Sequence, residues 1–196
     1  VCPGNSTTIG GSPSARYGLP PYTYSWSPSG GTGATASSLA AGTYTVVATT
    51  AATGCTNNMT GSVTIGINPL PAVFAVTGGG NYCAGGTGVA IGVSGSTAGI
   101  IHQLYNGVAA YGSPVVGTGG ALSFGLVTAP GVYTDVATNA TTGCTANMAG
   151  SATVSINSLP LLYTVSGGGN YCIGGSGVLV GLSGSNAGIT YKLFNG

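Results

Sequence analysis

The chain repeats itself at an interval of 89 residues, and this repeat constrains the fold more than any other feature. GGGNYC stands at residues 78–83 and again at 167–172, and residues 42–107 laid over 131–196 give 41 identities in 66 positions without a gap. An interval of this length is close to the roughly 100 residues of an immunoglobulin-like sandwich and longer than the ~20–50 residues of a solenoid repeat. We therefore expect each repeat to enclose its own hydrophobic core.

The repeat divides the 196 residues into three segments. We predict one module over residues 1–71 that is incomplete at its N-terminus, a complete module over 72–160, and the N-terminal part of a third over 161–196. Proline-containing sequences at 68–71 and 157–160 mark the junctions, since proline cannot donate to a strand ladder. Short junctions predict limited motion between modules, and the pattern indicates a longer array.

Apolar residues alternate with polar ones at a period of two, and no helical period is present. Tyr22, Tyr24 and Trp26 alternate with Thr and Ser, which is typical of a half-buried strand. The same alternation predicts inward-facing residues in three further strands, namely Tyr44, Val46 and Ala48; Val63, Ile65 and Ile67; and Val89, Ile91 and Val93. The predicted fold class is all-β, built of tandem immunoglobulin-like β-sandwich repeats of about 89 residues.

The five cysteines follow the repeat, with one early and one late in each complete unit. We predict the disulfides Cys2–Cys55 and Cys83–Cys144 on this basis. Cys172 is then left over, and its partner would fall outside the chain; a free thiol and an interchain bridge are the alternatives. Disulfides of this kind form in oxidising, extracytoplasmic compartments.

Charged side chains make up only 2% of the chain, namely Arg16, Lys192 and Asp135, where an ordinary domain has about a quarter. A net charge of +1 provides no positive field, so we expect no nucleic-acid partner. The apolar residues are dispersed, with no run near the ~20 residues of a membrane span, so we expect no membrane insertion. A neutral surface of this kind favours self-association into a homo-oligomer or filament.

Catalysis and metal binding are both disfavoured by the shortage of titratable groups. The chain has one carboxylate side chain and one imidazole, so we expect no enzyme activity and no cofactor. His102 aligns with Tyr191 of the next repeat and is predicted to be an inward, structural strand residue. Asp135 replaces Val46 of the previous repeat and is predicted to be a surface or tolerated inward side chain. We expect no metal site, because clustered acidic ligands for calcium are lacking and the cysteines are too widely spaced for zinc.

Two further motifs are the glycine runs around Cys83 and three N-x-[ST] sequons. The glycines at 78–80 and 85–86 flank Cys83, and we interpret them as backbone positions of positive φ beside a disulfide, since no lysine follows to make a phosphate-binding loop. Asn5, Asn58 and Asn139 stand in N-x-[ST] sequons and are candidate glycosylation sites.

Several of these sequences resemble known surface repeats. Residues 21–28 (PYTYSWSP), followed by 39–46 (LAAGTYTV) and 53–56 (TGCT), resemble the SprB-type repeat of giant adhesins in gliding Bacteroidota. GGGNYC, the strand ends LYNG and LFNG, and the Ile-Asn-x-Leu-Pro endings resemble immunoglobulin-like modules in very long surface proteins of the same bacteria. The resemblance implies type IX secretion, an extracellular place at the cell surface, either attached to the outer membrane or as a released filament, and a role in adhesion, gliding motility or filament formation.

Two functions follow as expectations. The first is a structural component of an extracellular filament or cell-surface stalk, self-assembling through neutral surfaces. The alternative is a cell-surface adhesin that binds carbohydrate or abiotic surfaces, through aromatic side chains such as Tyr17, Tyr105 and Tyr111.

Overall fold

The chain folds into β-strands joined by turns. A computed structural model describes residues 1–11 and 20–195, and no helix occurs among them. The predicted all-β class is therefore confirmed.

The described part of the first segment, residues 1–11 and 20–71, has strands in two sheets. The strands are β1 (Thr7–Gly10), β2 (Tyr22–Ser27), β3 (Thr35–Leu39), β4 (Gly42–Thr50), β5 (Thr56–Asn58) and β6 (Val63–Ile65). β1 pairs with β3, while β2, β4 and β5 form a second sheet in that order, with β6 also on β4. Tyr22, Tyr24 and Trp26 are half-buried and the residues between them are exposed, as the alternation predicts. Buried residues of both sheets form one core, namely Ala36, Leu39, Tyr44 and Ile65.

The second segment, residues 72–160, also forms two sheets. Its strands are β7 (Val76–Gly78), β8 (Gly80–Cys83), β9 (Val89–Val93), β10 (Ile101–Asn106), β11 (Ala109–Val116), β12 (Leu122–Val127), β13 (Gly131–Thr138), β14 (Thr145–Asn147) and β15 (Ala152–Asn157). One sheet has the order β12-β9-β7, and the other has the order β11-β10-β13-β15-β8 with β14 on β13. Both sheets contribute to a shared core of Ile91, Leu104, Val127, Tyr133, Ala152 and Val154.

The third segment, residues 161–196, has two paired strands, β16 (Val165–Gly167) and β17 (Val180–Leu182). It exposes residues whose equivalents in the second segment are buried. Leu193 is 76% exposed where Leu104 is 1% exposed, and Val180 is 46% exposed where Ile91 is 1% exposed. Residues 161–195 therefore carry an open apolar face that corresponds to the core of the second segment.

One predicted strand is only partly correct. Ile65 is buried as expected, but Val63 and Ile67 are exposed. For Ile67 the reason is the short ladder: β6 pairs with β4 over residues 63–65 alone, so Ile67 lies beyond the strand, just before the junction. Val63 pairs with Tyr44 within that ladder and is exposed all the same.

The glycines at 78–80 carry the chain from one sheet to the other. β7 pairs with β9 in the three-stranded sheet, and β8 pairs with β15 in the other. Gly78, Gly79 and Gly80 all have positive φ, as the sequence analysis predicts. A Cβ on Gly78 would clash with the carbonyl oxygen of Ala90, and one on Gly79 would lie 2.7 Å from that of Thr153. The crossing thus needs glycine because both sheets lie close to the backbone.

Candidate functional site

The chain has a disulfide between its first and second segments. Cys2 is bonded to Cys144, with the two Cα atoms 5.5 Å apart and a sequence separation of 142 residues. The predicted bonds Cys2–Cys55 and Cys83–Cys144 are therefore wrong. The bridge connects two segments instead of closing a loop within one.

Cys144 lies at the end of the second segment that faces the first. The amide of Asn139 donates to the carbonyl of Cys144, just after β13 ends. The next residues form β14, which pairs with the C-terminal part of β13, Val136–Thr138. Cys144 is therefore level with the C-terminal end of β13.

Cys83 lies at the opposite end of the same sheet. It pairs with Asn157 in the parallel β8–β15 ladder, three residues beyond the Gly131–Val154 pair at the start of β13. The neighbouring Tyr82 hydroxyl donates to the carbonyl of Thr128. About eleven residues, or roughly 35 Å at ~3.3 Å each, separate this level from Cys144. Since a disulfide needs Cα atoms within about 7 Å, the register rules out the predicted Cys83–Cys144 bond.

The first segment repeats this arrangement. The amide of Thr50, the last residue of β4, donates to the carbonyl of Cys55. At the other end, Gly42 pairs with Ile65, and the chain continues to Asn68, whose amide donates to the carbonyl of Val1. Cys2 follows Val1 directly and is thus at the opposite end of the sheet from Cys55.

The disulfide sits against the junction between the segments. Cys144 Sγ lies 3.9 Å from the carbonyl oxygen of Asn68, and Cys2 Sγ lies 3.9 Å from that of Thr142. The Val1 ammonium group also donates to the carbonyl of Gly66 at 2.8 Å. All strand pairings between described residues lie within one segment. The two segments are therefore held by two covalent connections, the junction backbone and the disulfide.

Three cysteines remain thiols, and all three are exposed: Cys55, Cys83 and Cys172. Cys83 is beside positive-φ glycines, as predicted, although Gly86 does not have a positive φ, and Cys83 has no disulfide. The proposed partner of Cys172 outside the chain stays a prediction.

A buried His–Asp pair lies in the core of the second segment. His102 Nδ1 is 2.7 Å from Asp135 Oδ2, and the two side chains are 1% and 0% exposed. Burial raises the pKa of the Asp135 carboxyl above its usual range, and the hydrogen bond from His102 opposes that shift. His102 Nε2 and Asp135 Oδ1 have no hydrogen-bond partner among the described residues. Because both side chains are sealed from solvent, the geometry supports packing and not proton transfer to a bound molecule.

Sequence reasoning placed each of these two side chains separately but missed their pairing. His102 lies opposite Ala137, as Tyr24 lies opposite Ala48 in the first segment. Asp135 takes the place of Val46, which lies on the same strand two residues before Ala48. His102 and Asp135 both differ from their counterparts in the first segment, and both fall on the same inward face. That coincidence could have indicated the pairing. The structural role predicted for His102 agrees with its burial, and Asp135 is inward and not on the surface.

The candidate glycosylation sites differ in accessibility. Asn5 and Asn58 are exposed. Asn139 is half-buried, and its Oδ1 accepts the amide of Thr141 at 3.0 Å, so its side chain already takes part in a turn.

The aromatic residues named for sugar binding have other contacts or lie outside the described residues. Tyr105 and Tyr111 are half-buried, and Tyr111 packs edge-on against Tyr133 with ring centroids 5.2 Å apart. Tyr17 lies outside the described residues. A cavity of about 340 Å³ lies where the second and third segments meet, and Pro160, Leu161 and Ile189 are among the residues that line it. In the second segment Ile100, the equivalent of Ile189, packs with Met148 in a core cluster.

No group of three or more His, Cys, Asp or Glu side chains among the described residues is placed to hold a metal ion. No helix among residues 1–11 and 20–195 is long and apolar enough to cross a membrane.

No protein-family model matches the chain, and no curated protein matches it.

Proposed function

We propose that the chain is a structural component of an extracellular filament or cell-surface stalk, built of tandem immunoglobulin-like β-sandwiches. The observation that carries this proposal is the Cys2–Cys144 disulfide, which joins one segment to the next. A bridge in that place restrains the orientation of neighbouring modules, and this is a mechanical property that a stalk requires.

The strand order of the second segment supports the immunoglobulin-like assignment. With β7, β9 and β12 taken as strands A, B and E, and β10, β13 and β15 as C, F and G, the two sheets have the orders E-B-A and C-F-G of that fold. Tyr133 also donates from its hydroxyl to the carbonyl of Ala129 at 2.8 Å, and Tyr44 donates to that of Ala40 at 3.1 Å. Such a tyrosine at the start of strand F, bonded to the backbone just upstream, recurs in these sandwiches.

Strand positions support the tandem arrangement. β5 and β14 have bounds that differ by 89 residues, and so do β7 and β16. β17 (Val180–Leu182) is likewise 89 residues beyond the second half of β9. Strands at this spacing support a chain of similar modules.

The nature of the surface supports self-association. Asp135 is buried, so the exposed charge in the described residues is limited to Lys192 and the N-terminus. Surfaces with little net charge associate readily, since no long-range repulsion opposes contact.

Contact between copies would use the faces of the modules and not the β11 edge. β11 contains Pro114, and its ladder with β10 is interrupted by a register shift between His102 and Leu104. Proline and bulges are devices that block edge-to-edge pairing. Lateral association through packed faces is therefore the form we propose, in an oxidising, extracellular setting.

The test is sedimentation velocity of the oxidised chain over a range of concentration, with negative-stain microscopy of the same samples. We expect association that is unchanged between 0.05 and 1 M NaCl, and elongated particles. A chain that stays monomeric at every concentration, or that dissociates in salt, would contradict the proposed assembly.

A further inference from the structure

We propose that the Cys2–Cys144 bond is one member of a series, in which the early cysteine of each repeat bonds to the late cysteine of the repeat that follows. By this rule Cys83 is the site for the late cysteine of a following module. Cys55 is the site for the early cysteine of a preceding module. The rule differs from pairing within a repeat and goes beyond the proposed function, because it assigns a covalent partner to each exposed thiol.

The first support is that early cysteines occupy the same place in both segments. Cys83 pairs with Asn157 in the parallel β8–β15 ladder, and the amide of Ala84 donates to the carbonyl of Asn157. In the first segment Val1, which precedes Cys2, exchanges hydrogen bonds with the stretch Gly66–Asn68. Asn68 and Asn157 are 89 residues apart and both begin a junction. Each early cysteine therefore lies beside the junction that leads to the next segment.

The second support is that late cysteines lie at the opposite end. Cys144 follows the C-terminal end of β13, and Cys55 follows the C-terminal end of β4. Each lies in an equivalent hydrogen-bonded turn of its own segment. The Cys144 end faces the first segment, as the disulfide itself requires. Cys55 thus points away from the second segment, toward any module placed before it.

The third support is exposure. Cys144 is 1% exposed in its bond, while Cys55, Cys83 and Cys172 are all exposed thiols. Within a segment the two cysteines are separated by the length of a sheet, roughly 35 Å, so neither can reach the other while the sheets are folded. Any disulfide partner of these thiols must therefore come from another module.

The bond forms by oxidation. The Sγ atoms of Cys83 and its partner each give up one proton and one electron as the S–S bond forms. A disulfide oxidant such as oxidised glutathione accepts the two electrons and two protons and leaves as two thiols.

The test extends the full chain so that the third segment is completed. A copy of residues 108–160 is joined after Gly196, which aligns with Gly107, and the copy carries Ala140→Ser as a mass tag. After oxidation with glutathione and alkylation of free thiols, chymotryptic peptides are mapped without reductant. We expect the appended copy of Cys144 to be linked to Cys83, and Cys172 to be alkylated. A bond from the copy to Cys172, or an unbonded copy beside an intact Cys2–Cys144 bond, would overturn the rule.

Two variants check the rule further, and the second does not depend on how well the added half folds. In the extended chain, Cys83→Ser should leave the copy of Cys144 alkylated and not shift it to Cys172. In the chain of 196 residues, Cys2→Ser should leave Cys144 as a thiol, whereas a new Cys83–Cys144 bond would contradict the proposal. Self-association is measured separately, so a chain that is correctly bridged but monomeric would overturn only the proposed filament.

Discussion

At the scale of single residues, the buried His102–Asp135 pair is the main departure from the repeat. It replaces Tyr24 and Val46 of the first segment with two polar groups in a sealed core. Such a pair gains a short hydrogen bond but loses the hydration of both groups. Its net contribution to stability is therefore expected to be small, while each member depends strongly on the other.

Restoring the residues of the first segment tests this balance. The double variant H102Y/D135V should be at least as stable as the natural chain, since replacing a buried pair with apolar residues often adds ~1–4 kcal/mol. Asp135→Val alone should lower the free energy of unfolding by about 1–3 kcal/mol, because it leaves His102 Nδ1 unpaired. Urea unfolding of the three proteins measures both effects. A double variant less stable than the natural chain would show that the pair itself stabilises the fold.

The pH dependence of stability has a sign set by Asp135. Burial raises the pKa of its carboxyl in the folded chain above the ~3.9 of an unfolded chain, so the folded state holds its proton more tightly. The free energy of unfolding should then fall as the pH rises from about 4 through the folded pKa. Urea unfolding between pH 3 and pH 6 measures this slope. The Asp135→Asn variant should remove it, and a slope of opposite sign would contradict the assignment.

At the scale of elements, the crossing at Gly78–Gly80 determines how β7 and β8 reach different sheets. Gly78 has φ +89° and lies close to the backbone of β9, so it needs both a positive φ and a missing Cβ. Gly85, in the next turn, has φ +80° but nothing within 4 Å of its Cβ position. A side chain at Gly85 would therefore lose stability only through the left-handed backbone conformation, whereas one at Gly78 would also clash with β9.

Alanine at each position should give different losses of stability. Gly85→Ala should cost about 1–2 kcal/mol, the price of a left-handed conformation. Gly78→Ala should cost clearly more, because the new methyl group meets the Ala90 carbonyl of the neighbouring strand. Thermal or urea unfolding gives the comparison. Equal losses would mean that the crossing tolerates a side chain.

The strands were largely predictable from the sequence, and the disulfide was not. Alternation located β2 and β4 because each has one buried face, and it failed at Ile67 because the ladder ends before that residue. The cysteine pairing depends on strand register and on which end of a sheet each cysteine occupies. Repeat spacing gives neither quantity, so Cys83 and Cys144 looked like partners although they lie at opposite ends.

At the scale of the whole molecule, the junction backbone and the disulfide together restrict motion between the first and second segments more than either connection would alone. A single short linker would allow the two segments to rotate, which is the usual behaviour of parts of a chain with a small interface. The Cys2–Cys144 bridge adds a second attachment beside Asn68 and so restricts that rotation. An array connected in this way would be stiff without calcium or charged contacts.

Removing the bridge should loosen the molecule without unfolding its sheets. In small-angle X-ray scattering, Cys2→Ser should broaden the distribution of interatomic distances relative to the natural chain. Cys55→Ser, which removes an exposed thiol, is the matched control and should leave the scattering unchanged. Identical curves for the two variants would show that the junction is already rigid without the disulfide.

The most direct test of the whole account is the cysteine pairing of the chain itself. After alkylation of free thiols, chymotryptic cleavage at aromatic residues and leucine places each of the five cysteines on its own peptide. We predict a linked peptide that joins Cys2 to Cys144, with alkylated Cys55, Cys83 and Cys172. Linked peptides that join Cys2 to Cys55 and Cys83 to Cys144 would contradict it.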